Sequence, residues 1–197
     1  MNLSLSARAL QFAATAHAQV PISTIVRNDG SHYKVRGQIR KYTGEPYIVH
    51  PIAVMDLVRQ ACTGNTDPAV LEDMLAAAAL HDVIEDCGVT FEQLNAEFNS
   101  SVAAMVLRLS DLQTPADGNR VTRKANERVK LSTAGPAVQT IKLADLIDNT
   151  RSITARDPDF AVAYLREKRA ILDVMTNGNP TLYRLADELA GSHEPVS

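Results

Sequence analysis

Three dipeptides constrain this chain more than any other feature: Asp67-Pro68, Asp157-Pro158 and Asn179-Pro180. Each puts a side-chain acceptor directly before a proline. Asp or Asn at that place can accept the unpaired N–H groups of a first helical turn, and proline suits the first helical position because its missing N–H would have no partner there. Helices are therefore predicted to start at all three. Apolar residues recur at three- and four-residue spacing between these starts, so most of the chain reads as helix. Thr90 with Gln93 has the spacing of a capping box ahead of a helix over 91–98, and Gly88 offers a stop for the helix before it. His50-Pro51 resembles a further start, which holds His50 at the N-terminal edge of a helix over 52–61. One stretch differs. Residues 20–35 carry β-branched runs on either side of Asn28-Asp29-Gly30, a hairpin signal. No internal repeat, heptad array or low-complexity tract is present.

A chain of 197 residues, 45% hydrophobic and 22% charged, fits one globular domain with a sizeable core. That domain is expected over 1–190, with a flexible tail at 191–197. The net charge is −3 and Lys and Arg are scattered among Asp and Glu, so the basic footprint of a nucleic-acid binder is missing. A small anionic substrate stays open, since a metal or a few placed cations outweigh a weak overall charge at close range. Cys62 and Cys87 stand in no CxxC or CxxH spacing and are expected to be buried thiols. The first 19 residues have the polar interruptions a signal peptide lacks, and no apolar run has membrane length. A cytoplasmic protein without a membrane partner is expected. The pattern sets no oligomeric state.

Chemistry enters where helical spacing changes character. Leu71, Met74, Leu75 and Ala78 mark the inward face of a helix predicted to run on to Asp86, and the next positions on that face are His81, Asp82 and Glu85. Unpartnered, each of these groups would cost on the order of several kcal/mol to bury, so a metal or a substrate is expected beside them. An isolated His-Asp pair is more often a hydrogen-bonded cluster at a helix end. Four polar groups in HDVIED weigh against that. Asp145 adds a carboxylate after the apolar run 141–144, on a helix that continues through Asp148 and Asn149. Imidazole nitrogen with carboxylate oxygen suits Mn2+, Fe2+ or Zn2+, and the spacing does not choose among them. Such a cation polarises a phosphoryl oxygen and lowers the pKa of bound water.

Three segments, YIVHP at 47–51, ALHDVIED at 79–86 and KLADLIDN at 142–149, lie within two longer runs, GQIRKYTGEPYIVHP and QTIKLADLIDNTRS, or between them. Through them the chain resembles, from about Ala16 to Leu172, the HD-domain alarmone hydrolases. It is most similar to the small alarmone hydrolases related to the hydrolase domain of Rel/SpoT proteins and to the Mesh1-type enzymes. The resemblance implies an all-α HD-domain helical bundle, here with a small β-hairpin insertion near residues 20–36. It implies one Mn2+, with other divalent transition metals possible, held by His50, His81, Asp82 and Asp145. Glu85 and Asp86 correspond to the pair that positions or activates the attacking water. The implied reaction releases pyrophosphate from the 3′ position of a guanosine tetra- or pentaphosphate and leaves GDP or GTP.

Asn149 matches the family's nucleoside-contacting asparagine, and Ser152 stands where a ribose-facing hydroxyl residue is found. Arg40 and Lys41 correspond to residues that flank the base or phosphates. RKYTGEP is one residue longer than the common RKSGEP pattern, however, so Lys41, Tyr42 and Thr43 can instead fill those positions. Leu146, Ile147 and Asp148 replace the basic and aromatic or histidine residues of the LADRLHN version. Arg120, Arg123 and Lys124 either meet the leaving pyrophosphate or form a solvated helix face. Tyr47 and Glu45 are candidates for supporting contacts or for turn formation. His17, His32 and His193 are surface or packing residues without a catalytic role, and Phe91, Leu94 and Phe98 fill the core. Rival functions are hydrolysis of adenosine alarmones, of the NADPH 2′-phosphate or of another nucleotide by an HD-type nucleotidase. A non-catalytic nucleotide sensor is the rival from a different class, and the complete ligand set argues against it.

Overall fold

The computed structural model describes residues 3–20, 23–26 and 32–191. In chain order its elements are α1 (Leu5–Gln19), β1 (Ser23–Val26), β2 (His32–Val35), α2 (Val49–Cys62), α3 (Pro68–Leu80), α4 (Val83–Cys87), α5 (Phe91–Glu97), α6 (Ser100–Leu109), a 3-10 turn at Pro115–Asp117, α7 (Arg120–Ser132), α8 (Pro136–Arg156), α9 (Pro158–Leu172) and α10 (Pro180–Gly191). The three capped prolines start α3, α9 and α10. Asp67 accepts from the N–H groups of Ala69 and Val70, Asp157 from Phe160, and Asn179 from Thr181 and Leu182. Both arms of the Thr90–Gln93 capping box form, and Gly88 closes α4 at φ +69°. Helix α2 begins before the expected proline, so His50 lies inside its first turn, with no side-chain cap at Ile48.

Helices α3 and α8 form the centre. Residues 74–80 of α3 are buried all round, as expected of a helix sheathed on every side, here by α1, α2, α6 and α8. Helix α8 lies against α2, α9 and α10. Fully enclosed Val54, Leu80, Ile141 and Leu143 knit these helices together, each contributing about 1.5–3 kcal/mol of burial. Leu94 is enclosed too, while Phe91 and Phe98 pack on the core's edge.

The structure corrects two expected boundaries. The helix predicted to continue through Asp86 stops at Leu80 and restarts at Val83, and Gly191 still belongs to α10. Residues 192–197 lie outside the described residues, as does the Asn28-Asp29-Gly30 turn. Strands β1 and β2 pair antiparallel, with Ser23 opposite Val35 and Val26 opposite His32. The chain returns from them to the point where it left α1. Gln38 N–H donates to the His17 carbonyl at 2.9 Å, and Gly37 at φ +90° approaches so closely that a Cβ there would sit 3.2 Å from Ala18 Cα. Only glycine meets both demands. Apart from this excursion and one isolated bridge between Ile39 and Pro46, the regular secondary structure among the described residues is helical, so the fold is all-α. Among the described residues no helix is long and apolar enough to cross a membrane.

Candidate active site

The break after α3 builds the centre of the site. Consecutive residues of a regular helix point about 100° apart, and here His81 and Asp82 stand where α3 gives way to α4. His81 caps α3, and Asp82 turns at φ −104°, ψ −3° before α4 begins. This brings Asp82 Oδ2 to 3.0 Å from His81 Nε2. From α2, His50 Nε2 arrives 3.2 Å from His81 Nε2, and from α8, Asp145 Oδ1 arrives 3.2 Å from His50 Nε2 and 3.9 Å from His81 Nε2. The ligand atoms of His50, His81 and Asp82 all lie within 4.8 Å of one another, a grouping able to hold a metal ion.

Outer contacts orient both imidazoles. His50 Nδ1 donates to Asp148 Oδ2 at 2.6 Å and His81 Nδ1 donates to the Ala78 carbonyl at 2.8 Å. With the protons committed there, the two Nε2 atoms present bare lone pairs to each other and to carboxylate oxygens. That arrangement repels itself unless a proton or a cation enters it. Protons answer when no cation is bound: burial would depress His81, but Asp82 and then Asp145 overcome it and raise the imidazole to about 9. His50 is raised as well, Asp145 and Asp148 outweighing its burial. Burial would likewise raise Asp145, yet Lys142 beside it at 2.8 Å and the two histidines hold its carboxyl well below the usual range. The two imidazole nitrogens and the Asp82 carboxylate oxygen suit a divalent metal ion. Asn149 Nδ2 donates to Asp145 and the Tyr47 hydroxyl to Asp82, steadying both carboxylates. Burial, then Asp82, keeps the Tyr47 hydroxyl protonated well beyond its usual range.

Glu85 and Asp86 are exposed, so Glu85 does not continue the inward face that its spacing predicts. Glu85 Oε2 accepts the Asp111 N–H at 2.9 Å. Surrounding protein still withholds enough water to push its carboxyl up to about 7, with Asp82 and Asp86 adding to the shift against that N–H. Asp86 Oδ2 accepts from Gln38 Nε2 at 2.8 Å.

Of the residues expected to meet substrate, Arg40, Asn149 and Ser152 come together. The Arg40 guanidinium donates to Asn149 Oδ1 at 2.9 Å, Asp148 Oδ2 at 2.7 Å and Ser152 Oγ at 3.2 Å. The longer RKYTGEP segment closes as a loop, Arg40 and Glu45 pairing through their backbones and Gly44 turning at φ +72°, so the extra residue is taken up at the tip. Lys41, Tyr42 and Thr43 are carried away from the four acceptors: Tyr42 donates to Asp157, Lys41 leans over the Tyr42 and Phe160 rings, and Thr43 is exposed. Arg120 and Lys124 line a cavity of about 190 Å³ that also includes Lys142, Asp145, Asn149 and Lys168. Arg120 grips Glu167 through two hydrogen bonds and Lys124 pairs with Glu127, whereas Arg123 does not line this cavity.

Four participants escaped the sequence. Lys142 and Asp148 flank Asp145 at three-residue helical spacing, a legible signal. His17 and Gln38 carried none. His17 is buried and packs on the Tyr47 ring, with Nδ1 2.7 Å from Gln38 Oε1. Of the two unpaired cysteines Cys62 is buried, whereas Cys87 is only half-buried, 3.3 Å from that same nitrogen. The side chain of His32 and all of His193 lie outside the described residues.

Comparison with known proteins places this geometry. The HD-domain family matches residues 31–177. The guanosine-3′,5′-bis(diphosphate) 3′-pyrophosphohydrolase of Vibrio cholerae is 41% identical over 62% of the chain, which spans only 17% of that relative's length. The mouse protein named guanosine-3′,5′-bis(diphosphate) 3′-pyrophosphohydrolase MESH1 is 32% identical, covering 66% of this chain and 69% of its own. A solved structure described as a metazoan ortholog of SpoT that hydrolyses ppGpp superposes with a TM-score of 0.74 at 26% identity, over 96% of this chain and 95% of that one.

Proposed function

The chain belongs to the HD-domain family, and on that premise we propose that it removes pyrophosphate from the 3′ position of a guanosine tetra- or pentaphosphate alarmone, leaving GDP or GTP. The observation that carries this is the convergence of four acceptor side chains, from α2, the α3–α4 break and α8, beside the Glu85-Asp86 pair. His50, His81, Asp82 and Asp145 hold one divalent cation, which the family resemblance makes Mn2+ and which their mixed nitrogen and oxygen donors accept. When bound, that cation supplies Lewis-acid polarisation of a phosphoryl oxygen and acidifies water toward neutral pH. Glu85, with its carboxyl near 7, orients the attacking water and takes its proton, and a base near the working pH suits that task. Asp86 holds the same water from the other side. The water oxygen bonds to the 3′-linked phosphorus as the bond from that phosphorus to the ribose 3′ oxygen breaks, and the proton taken by Glu85 passes to that oxygen, which leaves as the 3′ hydroxyl of GDP or GTP. Arg40, Asn149 and Ser152 meet the nucleoside, while Arg120 and Lys124 meet phosphate by releasing Glu167 and Glu127. We place the activity in the cytoplasm, where two unpaired thiols persist.

The test incubates Mn2+-loaded protein separately with guanosine and adenosine 3′-pyrophosphate alarmones, a deoxynucleoside triphosphate and NADPH, with a chelator control. Pyrophosphate from the guanosine alarmone is the expected result. Preference for the adenosine alarmone would change the base. Orthophosphate alone, from the triphosphate or NADPH, would overturn the alarmone assignment and keep an HD-type hydrolase. Binding without any product would make the domain a sensor.

A further inference from the structure

Gln38 joins three parts of the chain at once. Its N–H donates to the His17 carbonyl at the end of α1, and its carbonyl accepts the Tyr47 N–H at 3.0 Å ahead of α2. Its side chain spans from His17 Nδ1, 2.7 Å from Oε1, to Asp86 Oδ2, 2.8 Å from Nε2. A primary amide can flip, exchanging a donor for an acceptor at almost no change in shape. In the flipped state the amide oxygen would face the Asp86 carboxylate and repel it, leaving that carboxylate without its donor.

His17 decides between the two orientations. Its ring is 2% exposed and clamped on Tyr47 at a centroid separation of 4.7 Å. With the proton on Nδ1 it demands an acceptor from Gln38, which leaves the NH2 group for Asp86. The other tautomer would strand an N–H at Nε2, a buried atom with no hydrogen-bond partner among the described residues. Burial and then Asp86 push the neighbouring Cys87 thiol up to about 12, so it stays neutral and competes weakly.

We infer that His17 and Gln38 are positioning residues for Asp86: the imidazole N–H fixes which face of the Gln38 amide meets Asp86 Oδ2, and so leaves Oδ1 free to face water. This rests on the proposed role of Asp86 in the reaction. The residues that carry it are separated in sequence by the 20–36 excursion, and they meet only because the chain returns to the end of α1.

The experiment compares wild type, His17→Phe, His17→Asn and Gln38→Met for release of pyrophosphate from a guanosine 3′-pyrophosphate, for Mn2+ affinity by calorimetry, and for the Gln38 side-chain amide resonances. His17→Phe and Gln38→Met should each lower kcat by about 10- to 100-fold, with KM and the Mn2+ Kd within about threefold of wild type. His17→Asn keeps a donor where Nδ1 stood and should recover most of the loss. Wild-type kcat in His17→Phe would overturn the inference, as would equal losses in His17→Phe and His17→Asn or a parallel collapse of metal affinity. If wild type released no pyrophosphate, the proposed function would fall by itself. The amide resonances would then decide: they should shift in both His17→Phe and Asp86→Ala, and indifference to either change overturns the positioning.

Discussion

The cluster of His50, His81, Asp82 and Asp145 sets acceptor against acceptor, whereas the cavity beside it, toward α7 and α9, sets cations against carboxylates. His50 and His81 are 1% and 3% exposed and turn their Nε2 atoms toward Asp82 and Asp145, with Lys142 the cation alongside. Arg120, with 58% of its side chain open to water, and Lys124 each already hold an acidic partner. The contrast separates two ways of handling charge. Enclosed lone pairs cannot be hydrated, so the centre is left needing a cation or protons. Exposed ion pairs are worth about 0–1 kcal/mol, so at the rim Arg120 can trade Glu167 for an anionic ligand at little cost, whereas Lys124 holds the buried Glu127 more firmly.

Removing a member of the centre should have the largest effect. His81→Ala should abolish Mn2+ binding by calorimetry and lower turnover by about 10³-fold or more, since a Lewis acid supplies several kcal/mol at about 1.4 kcal/mol per tenfold. Retained metal affinity would break the comparison. Glu85→Gln sharpens it, because that residue is exposed: the metal should still bind, while kcat falls by about 10²- to 10⁴-fold, the worth of a placed base. Arg120→Ala probes the rim. We expect KM to rise by about three- to tenfold, less at high salt, with the Mn2+ Kd unmoved. A kcat loss as large as that of Glu85→Gln would mean the rim is no mere exchanger of ion pairs.

Lys168 is the rim's exception and the smallest test. It is enclosed, its ammonium bonded to the Leu146 carbonyl and the Thr150 hydroxyl rather than to a carboxylate. Burial, only partly offset by Asp145, lowers it to about 8 from an ordinary 10.5. Between those values the unfolded chain binds more protons than the folded one, so this group makes the protein gain stability as pH climbs from 8 to 10.5. The gain, on the order of 1–3 kcal/mol in denaturant titrations, should vanish in Lys168→Met. Parallel pH profiles for the two proteins would show that Lys168 bears no such burial cost.

Local rules account for how much was legible. The capped prolines, the Thr90–Gln93 box and the Gly88 stop act within one helical turn, and each appears where the spacing predicts. Lys142 could have been found by the same rule that pairs residues three apart. The break at His81–Asp82 could not, because the apolar spacing runs straight through it. Glu85 was misplaced inward for that reason. Arg40 and Lys41 were equivalent on paper, and backbone pairing of Arg40 with Glu45 separated them.

The sequence by itself determined where helices begin and which donor types are available, because caps, prolines and residue chemistry are local properties. Tertiary structure alone decided which of those donors meet. His50 and Asp148 are 98 residues apart, and His17 meets Gln38 across an excursion that returns to its own starting point. Such encounters follow from how buried helices pack, and no short stretch of chain encodes that.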